Sequence, residues 1–148
     1  MKTKRNLIWS WASLGALLVI ATALLLSACT TGSTTNASPP ATAPAAGISP
    51  AQAYTKYQQG SFFLDVRTQA EWDQFHIKGS TLIPLEDLQT RLNELPKNKD
   101  IVVICQAGPR SQSGAAILQQ AGFTSISYVN GGYQAWMSAG YPVEAGKP

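Results

Sequence analysis

The chain has 148 residues, a length typical of one domain of ordinary size. It carries 11 lysines and arginines against 8 aspartates and glutamates, and three of those cations, Lys2, Lys4 and Arg5, lie before Cys29. The remainder is balanced in charge and offers no electrostatic reason to bind nucleic acid, so we expect no nucleic-acid partner.

The first 28 residues are predicted to be a targeting segment rather than part of the fold. A basic start is followed by a long apolar stretch, and the sequence LSAC at 26–29 resembles the bacterial lipobox. That resemblance implies cleavage before Cys29 and acyl chains on it. The alternative is an uncleaved membrane anchor, since residues 7–26 are about long enough to span a bilayer. Both readings put the domain outside the cytoplasm, on the periplasmic or cell-surface side of a bacterial membrane.

Residues 30–47 are predicted to form a linker. They are small or polar, carry no charge and include no large apolar side chain, so they cannot bury enough surface to fold. As a flexible coil, this segment would hold its ends about 20–25 Å apart. The predicted organisation is therefore a lipoprotein signal peptide at 1–28, a lipidated Cys29 with the linker at 29–47, and a folded domain at 48–148.

Helices and strands are predicted to alternate from Ile48 onward. Ser49 and Gln52 form a capping box with Pro50 in the first turn, which predicts a helix that ends before Gly60. Short apolar strands are predicted at 61–66, 81–83, 101–104 and 125–129, and further helices at 69–74, 86–92, 111–121 and 133–139. This order favours an α/β fold with a central, mostly parallel β-sheet flanked by helices on both faces.

The segment CQAGPRS at 105–111 contains the only cysteine after Cys29 and follows the apolar strand at 101–104. Sites in open α/β sheets form beyond the carboxyl ends of strands, and the start of the next helix favours an anion there. We therefore expect Cys105 to ionise readily and to act as a nucleophile at neutral pH. The alternative is a buried, inert core cysteine. The predicted substrate-binding residues around it are Gln106, Ala107, Gly108, Pro109, Arg110 and Ser111.

Four segments in order resemble the rhodanese-like sulfurtransferases, and together they cover nearly the whole folded region. They are FFLDVRTQAEW at 62–72, HIKGSTLIPLEDL at 76–88, IVVICQAGPRS at 101–111 and GFTSISYVNGGYQAW at 122–136. The sequence departs from the family pattern at Phe75, where glycine is usual, and at Lys78, where proline is usual. Gln106 stands where many members carry arginine, which leaves one cation fewer in the loop.

The resemblance implies a rhodanese-like fold and a two-step sulfur transfer. Cys105 would take a sulfane sulfur from thiosulfate or a similar anionic donor as a persulfide, and would pass it to cyanide or a thiol. Arg110 would orient the donor, and Ser111 would contribute a hydroxyl. An exported protein is a further candidate partner. The family needs no metal or organic cofactor, and with one histidine the sequence offers no metal-binding cluster.

Three polar residues outside the loop are interpreted as structural support. Asp65 and Arg67 lie at the end of the strand predicted at 61–66 and are expected to hold neighbouring loops through hydrogen bonds. His76 is the only histidine, and a cysteine that ionises readily needs no separate base. Tyr133 and Gln134 follow a Gly-Gly turn and are expected to come near the loop.

Other functions remain open at this point. A domain of this fold can serve as a non-catalytic binding module, although such modules typically lack the cysteine. A phosphatase or arsenate reductase would also use a cysteine and an arginine in one anion-binding loop. Those phosphatases have five residues between the two, whereas Cys105 and Arg110 enclose four, which favours a smaller group such as a sulfane sulfur. A redox partner of small thiols is a third alternative, although no second cysteine is available for a dithiol.

Overall fold

The structure, a computed structural model, describes residues 44–146. The predicted signal peptide, Cys29 and the linker up to residue 43 lie outside the described residues. Within the described range, none of the helices has the length and apolar character needed to cross a membrane.

The described residues form seven strands and five α-helices in largely alternating order. The strands are β1 Ala46–Ile48, β2 Phe62–Asp65, β3 Phe75–His76, β4 Thr81–Leu82, β5 Ile101–Ile104, β6 Ile126–Val129 and β7 Glu144–Ala145. The helices are α1 Pro50–Gln58, α2 Gln69–Gln74, α3 Leu85–Leu88, α4 Pro109–Gln120 and α5 Gly132–Ser138, with a 3-10 turn at Leu92–Glu94.

Five strands form a parallel sheet in the order β1-β6-β5-β2-β4. The central strand β5 pairs Val103 with Leu64 of β2 on one side and with Tyr128 of β6 on the other. Because all five strands run the same way, their carboxyl ends meet at one edge, and Cys105 follows β5 at that edge. Strands β3 and β7 form a separate antiparallel pair.

Helices cover both faces of this sheet, as the sequence predicts. Strand β5 is buried along its whole length, and its side chains alternate between two cores. Ile101 and Val103 pack in the core that also contains Leu88 of α3 and Leu118 of α4. Val102 and Ile104 pack in the second core, whose other buried members are Ile48, Ala53, Phe63, Ile77, Val129, Tyr133 and Trp136.

Local capping explains where the first helices begin. The predicted capping box of α1 is confirmed, because the Ser49 hydroxyl accepts from the Gln52 N–H and the Gln52 side chain accepts from the Ser49 N–H. Helix α2 has a second capping box, formed by Thr68 and Glu71. This box bears directly on the site, since Glu71 also binds a residue of the Cys105 loop.

Several predicted boundaries are wrong. Ala46 and Gly47, placed in the linker, belong to strand β1, which pairs with β6 at the sheet edge. The helix predicted at 86–92 is two pieces, α3 and the 3-10 turn, and α3 has no side-chain cap at Pro84. Helix α4 begins at Pro109, two residues earlier than predicted, and the pair β3–β7 was not predicted.

Candidate active site

The Cys105 side chain lies at the carboxyl edge of the sheet, against the core beneath α4. It follows Ile101 and Val103 in the alternation of β5 and joins their core cluster. The residue is only 1 % exposed, and an inert core cysteine would be buried to the same degree. Its sulfur, however, accepts a hydrogen bond from the backbone N–H of Gly108 at 3.1 Å. Such a donor would stabilise negative charge that develops on the sulfur during a reaction.

Gly108 turns the chain from this loop into helix α4. Its φ of +116° is a conformation that side-chain-bearing residues rarely adopt, so glycine is required to aim this N–H at the sulfur. Pro109 then begins the helix, where a missing N–H costs nothing. The Ser111 hydroxyl donates to the Gly108 carbonyl at 2.7 Å, and Ser111 is fully buried. The Ser111 side chain thus holds the loop from within.

Arg110 is held by a carboxylate from a different helix. Its guanidinium donates two hydrogen bonds to Glu71, at 2.8 Å to Oε2 and 2.6 Å to Oε1. These bonds hold the pKa of Glu71 at about 2, below its ordinary 4.5, and the pair raises the pKa of Arg110. A negative charge on the Cys105 sulfur would favour the same cation.

Beneath the loop lies a buried ion pair. Asp65 and Arg67 are both fully buried, and their side chains join through a 2.8 Å ion pair. Burial raises the pKa of the Asp65 carboxyl, and the hydrogen bonds from Arg67 oppose that rise. Arg67 also donates to the Phe75 carbonyl at 2.7 Å and to Gln106 Oε1 at 3.4 Å. These contacts connect three segments of the chain under the site.

The start of helix α5 holds the first residues of the loop. The Tyr133 N–H donates to the Cys105 carbonyl at 2.8 Å, and the Gln134 N–H donates to the Gln106 carbonyl at 3.1 Å. The Tyr133 ring also lies 3.6 Å from the guanidinium carbon of Arg67. A Cβ at Gly132 would collide with the Cys105 carbonyl oxygen, so this approach requires glycine.

His76 lies on β3, and its contacts point away from the loop. Its ring stacks on Trp72 with centroids 4.2 Å apart, and its Nδ1 is 3.3 Å from the Trp72 carbonyl. Its Nε2 is 3.8 Å from Glu144 of β7. None of these contacts brings the imidazole to Cys105.

A cleft opens beside the Cys105 loop and has a volume of about 350 Å³. We call it the side cleft. Its lining consists of Val66, Arg67 and Thr68 after β2, Pro84, Leu85 and Glu86 at the start of α3, and Arg110. A second hollow of about 610 Å³ shares Thr68, Pro84 and Glu86 with it and adds Asp87 and Arg91. The side cleft is large enough for a small organic molecule.

Among the loop residues predicted from the sequence, Gly108 contacts the Cys105 sulfur and Ser111 holds Gly108 in place. Gln106 is half-buried, whereas Ala107 and Pro109 are exposed at the rim. The sequence did not show that Glu71 is the partner of Arg110. The spacing of Thr68 and Glu71, which is that of a capping box, was nevertheless a signal that Glu71 lies in the first turn of α2. Among residues 44–146 there is no group of histidine, cysteine and acidic side chains able to hold a metal ion.

The comparisons with known proteins point to one family. The model of the family described as "Rhodanese-like domain" matches residues 49–139. A protein named sulfurtransferase from Allochromatium vinosum is 35% identical over 82 residues, which are 55% of this chain and 77% of that protein. Thiosulfate sulfurtransferase GlpE from Pseudomonas syringae is 34% identical over 97 residues, 66% of this chain and 91% of the relative. The crystal structure of a rhodanese-related protein from Thermoplasma volcanium superposes with a TM-score of 0.63 at 34% identity, covering 67% of this chain and 97% of that one.

Proposed function

This chain belongs to the rhodanese-like domain family, and we propose that it is a sulfurtransferase that works through a persulfide of Cys105. It would move a sulfane sulfur from thiosulfate or a similar donor to cyanide or a thiol. The single observation that carries this proposal is the hydrogen bond from the Gly108 N–H to the Cys105 sulfur. A structural core cysteine needs no such donor, whereas a nucleophilic thiolate is stabilised by it.

The first half-reaction is a displacement at sulfur. The Cys105 thiolate attacks the outer sulfur of thiosulfate, the S–S bond of the donor breaks, and sulfite leaves with the bonding electron pair. Cys105 then carries one additional sulfur and one negative charge. In the second half-reaction a thiolate or cyanide attacks that outer sulfur and releases the Cys105 thiolate.

Backbone N–H groups supply the electrostatic part of the proposal. Gly108 already donates to the sulfur, and the first N–H groups of α4 have no acceptor inside the helix. These donors and the helix dipole would stabilise the persulfide and the departing anion. Arg110, oriented by Glu71, would attract the donor's oxyanion at the rim.

Ser111 is assigned a different part from the one that the family resemblance implies. Its hydroxyl proton is engaged by the Gly108 carbonyl, and its side chain has no exposed surface to offer a donor. We therefore assign it to holding the loop in shape.

We also propose that the protein acts outside the cytoplasm, anchored to a membrane by acyl chains on Cys29. This part rests on the LSAC sequence at 26–29 and the basic, apolar segment before it. An exported partner protein would then be a candidate sulfur acceptor.

The test is intact mass spectrometry of the protein before and after thiosulfate. A Cys29→Ser background leaves Cys105 as the only thiol, and the Cys105→Ser variant in that background is the control. We expect a gain of one sulfur atom that cyanide removes and that the control lacks. No gain with thiosulfate but a gain with mercaptopyruvate or polysulfide would replace the donor and keep the reaction. No gain with any of these donors would contradict sulfur transfer and favour the non-catalytic binding module.

A further inference from the structure

The side cleft has an unusual charge balance for a site that handles anions. Two of its lining residues are arginines, and each forms an ion pair with a carboxylate of its own. Arg67 pairs with Asp65 at 2.8 Å, and Arg110 pairs with Glu71 at 2.6 Å. Glu86, the third charged residue of the lining, is exposed and forms no ion pair with any residue between 44 and 146. The uncompensated charge of the cleft is therefore one carboxylate.

The hollow next to the side cleft continues this negative character. It shares Glu86 and adds Asp87, whereas its arginine, Arg91, is held by Glu94 at 2.7 Å. The loop 105–111 contains no cation besides Arg110, and the neutral Gln106 accepts a hydrogen bond from Arg67 at 3.4 Å. Arg110 lines the side cleft and belongs to the Cys105 loop, so a small molecule bound in the cleft lies beside that loop and meets the unpaired charge of Glu86. A molecule with a positive group would be attracted at the same place.

We propose that the low-molecular-weight thiol that exchanges sulfur with Cys105 is an aminothiol, whose protonated amine faces Glu86 in the side cleft. This inference rests on the proposed function and names the substrate class of the same site. The apolar surface of Pro84 and Leu85 suits the short carbon chain between amine and sulfur. Glu86 is then a specificity-determining residue.

The chemistry is the same displacement at sulfur in both directions. The thiolate of the aminothiol attacks the outer sulfur of the Cys105 persulfide, and a new S–S bond forms on the aminothiol. The S–S bond to Cys105 breaks, and the Cys105 thiolate leaves with the electron pair. In reverse, Cys105 takes sulfur from the aminothiol persulfide, with no external oxidant or reductant. A persulfide places its reacting sulfur about 2 Å beyond the buried sulfur of Cys105, towards the incoming thiol.

Three thiols of similar size test the charge preference. The protein, in the Cys29→Ser background, is loaded as the Cys105 persulfide with polysulfide or excess thiosulfate. It is then mixed with cysteamine, 2-mercaptoethanol or 3-mercaptopropionate, which carry an ammonium, a hydroxyl and a carboxylate. Rapid-quench mass spectrometry gives the second-order rate constant of discharge. Each thiol is compared between the parent protein and Glu86→Gln, so that its intrinsic reactivity cancels from the ratio.

We expect Glu86→Gln to lower the rate constant of discharge by cysteamine about 3-fold, as for a solvent-exposed charge pair. The rate constant with 3-mercaptopropionate should rise by a similar factor. The rate with 2-mercaptoethanol is expected to stay constant. Asp87→Asn is the matched control, because it removes a neighbouring carboxylate of α3 that does not line the side cleft. Because Asp87 lies in the adjoining hollow, we expect a clearly smaller change in the rates with cysteamine and 3-mercaptopropionate than Glu86→Gln gives.

The outcomes separate this inference from the function on which it rests. Suppose that Cys105 loads normally. If Glu86→Gln then changes the rates with all three thiols equally, changes none of them, or has the same effect as Asp87→Asn, the aminothiol proposal is overturned. Sulfur transfer by Cys105 would still stand in each of these cases. Failure to load Cys105 with either donor would overturn both.

Discussion

Glu71 connects the fold to the chemistry at the scale of a single residue. It closes the capping box of α2 by accepting from the Thr68 N–H at 2.9 Å. The same carboxylate receives both hydrogen bonds from Arg110. A residue in the first turn of α2 therefore also holds the side chain of Arg110, the only arginine of the Cys105 loop. Removing its charge should affect stability and the placement of Arg110 together.

Glu71→Gln is expected to lower the free energy of unfolding by about 1 kcal/mol near neutral pH, a value scaled down for partial exposure of the pair. The folded-state pKa of Glu71, about 2, lies below the ordinary 4.5. Its stabilising contribution is therefore complete above pH 4.5 and is lost as the pH falls towards 2. Urea unfolding across this range should show the parent and variant curves converging as the pH falls.

The matched control for this prediction is Glu94→Gln. Glu94 also receives two hydrogen bonds from an arginine, Arg91, but this pair lies on the surface and contacts no loop residue. We expect a smaller change in stability from it. An equal effect of the two variants, or a Glu71→Gln difference that stays constant down to pH 2, would contradict the role assigned to Glu71.

Gln106 illustrates what sequence reasoning sees and what it misses at a single position. From the sequence, Gln106 was recognised only as a neutral residue where many family members carry arginine. In the structure its side-chain oxygen accepts from the fully buried Arg67. An arginine at 106 would bring a second guanidinium towards the first, and like charges repel. The glutamine thus suits a partner that is 39 positions away in the chain and can be identified only after the fold is known.

At the scale of elements, the site is a junction between the end of β5, the start of α4 and the start of α5. The loop is held at both ends. The Ser111 hydroxyl binds the Gly108 carbonyl inside α4, and the Tyr133 N–H binds the Cys105 carbonyl from α5. The close approach of α5 depends on Gly132, because a side chain there would enter the loop backbone.

Gly132→Ala should therefore damage activity more than an ordinary glycine substitution. Its Cβ would collide with the Cys105 carbonyl oxygen and lie 2.8 Å from the Gln106 carbonyl carbon, at a φ of +55°. We expect a stability loss of about 2 kcal/mol or more from strain and clash. We also expect Cys105 persulfide formation to slow by about 10-fold or more, since a small misplacement of a nucleophile is costly.

Gly122→Ala separates the clash from backbone strain. Gly122 also has a positive φ, +85°, but beyond its chain neighbours no atom lies within 4 Å of the place that a Cβ would take. We expect a loss of about 1 kcal/mol in thermal unfolding and an unchanged rate of persulfide formation. If both variants load sulfur at the parent rate, α5 does not position Cys105.

Elements with a strong local signal were predictable, and those that depend on partners were not. The apolar run at 101–104 and the capping box at Ser49 identify β5 and α1 directly. Strand β1 carries no such signal, because Ala46 and Gly47 are small and become a strand only by pairing with β6. The helix predicted at 86–92 is longer than α3, because the chain turns after Leu88.

The five parallel strands give the domain two different sheet edges, one with the amino ends of the strands and one with their carboxyl ends. Strand β1 runs parallel to β6, and β6 runs parallel to β5. The chain therefore enters β1 from the amino edge of the sheet, whereas Cys105 follows β5 at the carboxyl edge. Residues 44 and 45, which lead into β1, lie at the edge of the sheet opposite the Cys105 loop.

The proposed lipid anchor at Cys29 leads to a separate prediction. In a bacterial host, the unmodified sequence should incorporate labelled fatty acid and partition with membranes, whereas Cys29→Ser should do neither. The rate of Cys105 persulfide formation should be the same for both proteins in detergent, because Cys29 takes no part in the proposed sulfur transfer. Fractionation, fatty-acid labelling and rapid-quench mass spectrometry measure these quantities. Labelling that persists in Cys29→Ser would refute the lipobox reading of 26–29, and a slower loading rate in that variant would show that the anchor and the loop are coupled.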